Sequence, residues 1–284
     1  MVAKIIYRLK RVLDLFYISA KMDLMWLLRD TKFALAAITA DTVSNLSVVS
    51  SVYLIALRFG GIGNMSVDEV LFMMAYSTLT TGVFILFGSS NNIHISRIIG
   101  RGQLEHLFIQ PHTLKAQLIT GGFIPFTGSS NFIIGCGLLV IAINRLNLQI
   151  GFWWITLLIL HVATTMVIII ARSYLVSTLA FYAPVAAEEI SSTAINGTWQ
   201  LSTFPLSGMP AFIQVPLLTV LPEGLMAWFP SLCLLGKSPF AFADYYPMVY
   251  ALLISIAASF LFRKGLNYYV KQGSNRYVPY GFRR

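Results

Sequence analysis

Four stretches of this 284-residue chain carry no charged side chain: between Glu69 and Arg97, Lys115 and Arg145, Arg145 and Arg172, and Glu189 and Glu223. A helix needs about 20 mostly apolar residues to cross the roughly 30 Å hydrocarbon core of a bilayer. Each stretch is long enough for at least one crossing. Phe33 to Leu57, broken once by Asp41, and Tyr245 to Phe262 are two more candidates. The runs are continuous, whereas strands of a transmembrane barrel alternate in character over about ten residues. Only 11% of the chain is charged, against about 25% in soluble domains. With a mean hydropathy of +0.73, this excludes a soluble globular fold and a disordered chain. The expectation is an all-α membrane protein.

Six crossings are predicted: about Phe33–Leu57, Val70–Gly88, Leu118–Ile143, Phe152–Leu175, Met209–Leu221 and Tyr246–Phe262. The net charge of +9 then becomes a topology signal. With the N-terminus inside, Arg58, Arg145 and Lys237 are the only basic residues assigned to outer segments. The remainder, Arg172 included, fall on the inner side. The positive-inside rule accordingly places both termini in the cytoplasm.

The N-terminal segment is not a cleavable signal, because its charges continue through Lys4, Arg8, Lys10, Arg11, Lys21, Arg29 and Lys32. Ile5, Leu9, Val12, Leu13 and Phe16 recur between them at helical spacing. This describes a helix lying in the membrane interface, or a soluble helix packed on a partner. At the other end of the sequence, Pro222-Glu223-Gly224 interrupts an apolar stretch that resumes over Leu225–Leu235, too short to span. It reads as a re-entrant or interfacial helix dipping from the outer face, with Pro222, Glu223, Phe229 and Pro230 as candidate gate residues.

Chemical motifs are scarce. Gly236-Lys237-Ser238 looks like the end of a phosphate loop, but the required Gly five residues earlier is Ser231. There is no HExxH, GxSxG or CxxC. Cys136 and Cys233 read as buried thiols, and neither a catalytic residue nor a metal site is expected. Ionisable groups within the membrane mark functional sites by default. Asp41, with Asn45 and Asn131, and His161 are thus candidates for lining a pathway. Each can equally hydrogen-bond a neighbouring helix.

The inner segment from Arg97 to Pro111 is the most informative polar piece. Leu104, Leu107 and Phe108 fall at i, i+3 and i+4, so a short helix turns them to one face while Glu105 and His106 point elsewhere. Pro111 stops the helix. Such a helix can plug into a cytoplasmic partner or rest on lipid headgroups.

The run Gly102-x-Leu104-Glu105-x-x-Phe108-x-x-Pro111 resembles the G-x-LD-x-x-L-x-x-P stretch of type-2 ABC transporter permeases, in a bacterial subfamily with six crossings. Thr203-Phe204-Pro205-Leu206, Leu221-Pro222 and Phe229-Pro230 are similar to that subfamily's YP…P…YP region. Phe262-x-x-Gly265-Leu266-x-x-Tyr269-x-x-Gln272-Gly273-Ser274 is similar to its C-terminal block. Glu105 stands where Asp is usual, Phe108 where Leu is, and Phe204 and Phe229 where Tyr is.

The resemblance implies a permease subunit of an ATP-driven exporter in the bacterial cytoplasmic membrane. Residues 1–32 would form the connecting helix, and 33–262 the six-helix transmembrane domain. Within it, a coupling helix would lie at about 97–110 and a re-entrant segment at about 222–238; 263–284 would be a cytoplasmic tail. Arg101, Gly102, Leu104, Glu105, His106, Leu107 and Phe108 would couple to an ATP-binding ABC subunit. Two copies of that subunit would hold the ATP and Mg, and this chain no cofactor. A second permease, identical or homologous, would complete the pore, with no nucleic acid involved. The alternatives are an ion-coupled secondary transporter using Asp41 and His161, disfavoured by the lack of an internal repeat, and an integral-membrane lipid-modifying enzyme.

Overall fold

The computed structural model describes residues 2–88 and 90–273, apart from the side chains of 2–8, 90–91, 185–188, 190–192, 195 and 198. Lys4, Ile5, Arg8 and Glu188 as side chains, and the tail with Ser274, Arg276, Arg283 and Arg284, therefore lie outside the described residues. Among the described residues the chain is helical and forms no strand. The helices are α1 (Val2–Arg29), α2 (Thr31–Phe59), α3 (Val67–Phe87), α4 (Ser90–Ile93), α5 (Ile95–Gly100), α6 (Leu104–Phe108) and α7 (Leu114–Thr120). They continue as α8 (Ser130–Leu146), α9 (Phe152–Ser177), α10 (Pro184–Leu201), α11 (Ala211–Thr219), α12 (Trp228–Leu234) and α13 (Tyr246–Gln272). Short 3-10 turns stand at Thr178–Phe181, Pro222–Leu225 and Ala243–Tyr245.

Four segments are long and apolar enough to cross a membrane: α2, α3, α9 with its following turn, and α13 with its preceding turn. Their outward faces carry Leu54, Ile159, Leu252, Leu253, Ile256 and Phe260 exposed, a surface suited to lipid and not to water. α3 lies at the centre. Ser66 and Glu69 close a capping box at its start, each side chain accepting from the other's backbone N–H. From Val70 to Thr80 every residue is buried, so α3 is apolar all round with no single greasy stripe. Gly82 and Gly135 let α3 and α8 approach closely. A Cβ on Gly82 would stand 2.3 Å from the Phe132 nitrogen, and one on Gly135 2.4 Å from that of Leu79. Small residues at crossings are how membrane helices gain van der Waals contact when lipid offers no hydrophobic drive.

The expected third crossing is not one helix. It breaks between α7 and α8, because Gly121-Gly122, Pro125 and Gly128 disfavour helix. Irregular backbone at such a place needs partners from protein, and α1 supplies one. Buried Asp23 accepts from the backbone N–H of Phe126 (2.8 Å) and Thr127 (3.2 Å) and from the Thr127 hydroxyl (2.6 Å). Ser19 donates to the Thr120 carbonyl, and Phe16 stacks edge-on against Phe123. α1 is thus packed on the chain itself.

The expected fifth crossing, Met209–Leu221, holds a shorter helix. α11 has nine residues and bends by 72° into the segment Pro222–Leu234. Before it, α10 is an 18-residue helix where an inner loop was expected. It packs on α5 and the 178–181 turn at one end of the bundle and on the 222–225 turn further along.

Candidate functional site

A cavity of about 720 Å³ opens between α2, α3, the start of α8 and the end of α10. Asp41, Asn45, Ser51, Thr78, Asn131 and Thr203 give it polar walls inside an otherwise apolar bundle. Asp41 Oδ2 accepts from the Ser130 hydroxyl at 2.7 Å, and its Oδ1 accepts from the Asn45 amide at 3.2 Å. Asn131 is buried, and its Oδ1 has no hydrogen-bond partner among the described residues. A buried acceptor without a partner is costly. Asp41, Asn45 and Asn131 therefore share one cavity. His161 does not: it is fully buried further along α9, facing Cys233 of α12 and Asp244.

The 222–225 turn sits against the charge in the last turns of α9. Arg172, within the expected fourth crossing and counted there with the inner charges, lies about 30 Å along the helix from Phe152. Its Nη1 stands 2.6 Å from Glu223 Oε1, and the two side chains are 10% and 2% exposed. Arg172 Nη2 also donates to the Ala194 carbonyl of α10 at 3.5 Å. One guanidinium thus joins α9, α10 and the tip of the bent segment. Pro222, Phe229 and Pro230 are buried around that tip and along α12. Indole and phenol groups hold the bent segment from the sides: Trp154 donates to the Leu234 carbonyl at 2.9 Å and Tyr246 to that of Leu218 at 2.7 Å. A lone Arg in the last turns of a long apolar run was the available signal for this pair. Glu223 stood out as a candidate gate residue, but nothing in the sequence pairs the two.

At the end of the bundle rich in basic residues, α5, α6, α7, the 178–181 turn and the last turns of α13 enclose a second core of Ile95, Ile99, Leu104, Leu118, Phe181 and Tyr269. α5 ends where Gly102, at φ 68°, reverses the chain and the Gln103 N–H reaches the Ile98 carbonyl. The face of α6 is corrected here. Leu104 is 1% exposed and Leu107 packs beside it, so both turn into the chain's own core. The outward surface is Arg101, Glu105, His106, Phe108 (43% exposed) and Ile109 (82% exposed). Glu105 also accepts from the Tyr269 hydroxyl at 3.1 Å, and Gln117 donates to the carbonyls of Leu107 and His112. α6 is thereby fastened to α13 and α7. Periodicity found the apolar face and could not say that it points inward.

At the opposite end, Lys237 pairs with Glu69 at 2.6 Å and Arg145 with Asp68 at 3.4 Å. Two of the basic residues expected on the outer side are thus matched by acids of the same end.

Neither a curated protein nor a solved structure matches the chain. The sequence profile of the ABC-2 family transporter proteins matches residues 46–273. That range covers the cavity walls from Ser47 onward, the fastened α6, the Arg172–Glu223 pair and all of α13; among the described residues it leaves out α1 and the first half of α2. The chain therefore belongs to the ABC-2 transporter family, as a membrane subunit of a transporter.

Proposed function

We propose that this transport subunit is the permease of an ATP-driven exporter of the bacterial cytoplasmic membrane, with both termini cytoplasmic. The observation that carries this reading is α6, a short helix fastened to the bundle from within and offering Glu105, His106, Phe108 and Ile109 outward. An ATP-binding ABC subunit docks on that surface, two copies serve a permease dimer, and ATP and Mg belong to them. α1 is the connecting helix. The six crossings are α2, α3, α7 with α8, α9, α10 and α13, and α11 with α12 forms the re-entrant segment.

Closure of the ATP-binding subunits moves α6 and, through Glu105 and Tyr269, the end of α13. α13 packs along α9, and α9 carries Arg172, which holds the tip of the re-entrant segment. The bundle rocks as rigid pieces, and the polar cavity changes the side to which it opens. Asp41, Asn45 and Asn131 line the path in this mechanism, and a second permease closes its open side. A proton-coupled transporter would need Asp41 and His161 on one route, and they stand in separate places.

The test is Phe108→Asp with Ile109→Asp. Ile109 is outward and Phe108 half-exposed, its other side against the Tyr269 ring, so insertion should hold while transport-linked ATP hydrolysis falls. Unchanged coupled hydrolysis in the double variant would sink the docking assignment. Leu104→Asp is the contrast: it places a charge in the core and should lower the yield of folded protein.

A further inference from the structure

His161, Cys233 and Asp244 come from α9, α12 and the turn before α13, and each offers one ligand atom within 4.8 Å of the other two. His161 is 0% exposed and Cys233 5%. Neither His161 ring nitrogen has a hydrogen-bond partner among the described residues. The alternative expected for this histidine, a hydrogen bond to a neighbouring helix, is therefore not met among the described residues. A buried imidazole with both nitrogens unmatched is an expensive arrangement, and here it faces a thiol and a carboxylate.

We propose that these three side chains bind a zinc ion. The donor set is one imidazole nitrogen, one sulfur and one carboxylate oxygen, which suits a borderline-soft d¹⁰ cation better than magnesium or calcium. Tetrahedral zinc holds such ligands about 3.5 Å apart, so the present spread needs only small side-chain adjustments to close. The Cys233 thiol gives up its proton on binding, and the thiolate with the Asp244 carboxylate neutralises the ion. The Ser238 hydroxyl donates to Asp244 Oδ1 at 3.2 Å and orients that ligand. A cavity of about 70 Å³, walled by Trp153, Thr156 and Leu160 among others, reaches the Asp244 ligand. The ion would staple α12 to α9 and to the start of α13, fixing the re-entrant segment from the end opposite α6. The spacing 161, 233, 244 follows no ligand motif, so the site is invisible in the sequence.

The experiment uses the full chain carrying an affinity tag without histidines, purified in mild detergent and dialysed against buffered micromolar free zinc. Metal analysis should find about one zinc per chain, retained in Cys136→Ser and lost in Cys233→Ser and His161→Gln. Cobalt in place of zinc should show a thiolate charge-transfer band that disappears in Cys233→Ser. Chelation should lower the unfolding temperature of the wild type and leave Cys233→Ser unmoved. If the variants fail to fold, the wild type decides alone: no zinc bound above detergent blanks, or cobalt spectra without thiolate character, overturns the proposal.

Discussion

Replacing either member of the Arg172–Glu223 pair should destabilise the bundle, and replacing both should recover most of the loss. Both partners are almost wholly buried, at 2.6 Å, so solvent and salt screen the pair little. Breaking a buried pair by removing one partner costs about 3–5 kcal/mol, because the surviving charge loses the group that offset its desolvation. Arg172→Met and Glu223→Gln should each cost within that range. The double variant, Arg172→Met with Glu223→Gln, should recover most of the loss, since replacing both partners of a buried pair is often neutral. Thermal or denaturant unfolding in nanodiscs at low and high salt reads all three. Losses that simply add in the double variant, or single-variant losses that disappear in high salt, would contradict a buried, coupled pair.

Three other outcomes follow from the packing. Asp23→Ala strips three hydrogen bonds from the 121–129 break and should cost several kcal/mol, at about 1–3 for each donor left without a partner; increased proteolysis within 121–129 is the readout. Gly135→Ala should destabilise by about 1–3 kcal/mol through overpacking, since its Cβ would meet the Leu79 backbone at 2.4 Å, whereas Gly137→Ala on the same helix meets open space and should be tolerated. Asp41→Asn removes the cavity's carboxylate, keeps its amide-sized shape, and should alter transport of cationic solutes more than neutral ones in vesicle flux assays.

The parts legible in the sequence were those carried by long-range composition. α2, α3 and α9 begin and end within a few residues of the apolar runs, and α13 begins with its run and continues past it to Gln272, because a spanning helix must keep charge out of about 30 Å of hydrocarbon. The breaks were written in the sequence but outweighed. Gly121-Gly122, Pro125 and Gly128 mark the gap between α7 and α8, yet the absence of charge from Ala116 to Asn144 favoured one helix. α10 was passed over because Glu189 and its neighbours make it less apolar than the Met209–Leu221 run, where Pro216 and the nearby turn shorten the helix. Asp41, Asn45 and Asn131 stood out as polar groups in apolar runs and share a cavity. The pairings that tie segments together gave no such sign. Asp23 with Phe126, Tyr269 with Glu105, and Arg172 with Glu223 are each separated by many tens of residues, and only the fold sets them side by side.

The proposed docking of an ATP-binding subunit on α6 is the step on which the mechanism turns. Site-specific photo-crosslinking in native membranes tests it, with the probe at Ile109 and a control probe at Leu252, exposed on α13. A crosslink is expected from position 109 to a subunit that carries a nucleotide-binding P-loop, and none from position 252. Probes at 106, 108 and 109 that capture only lipid, or proteins without such a loop, would contradict it.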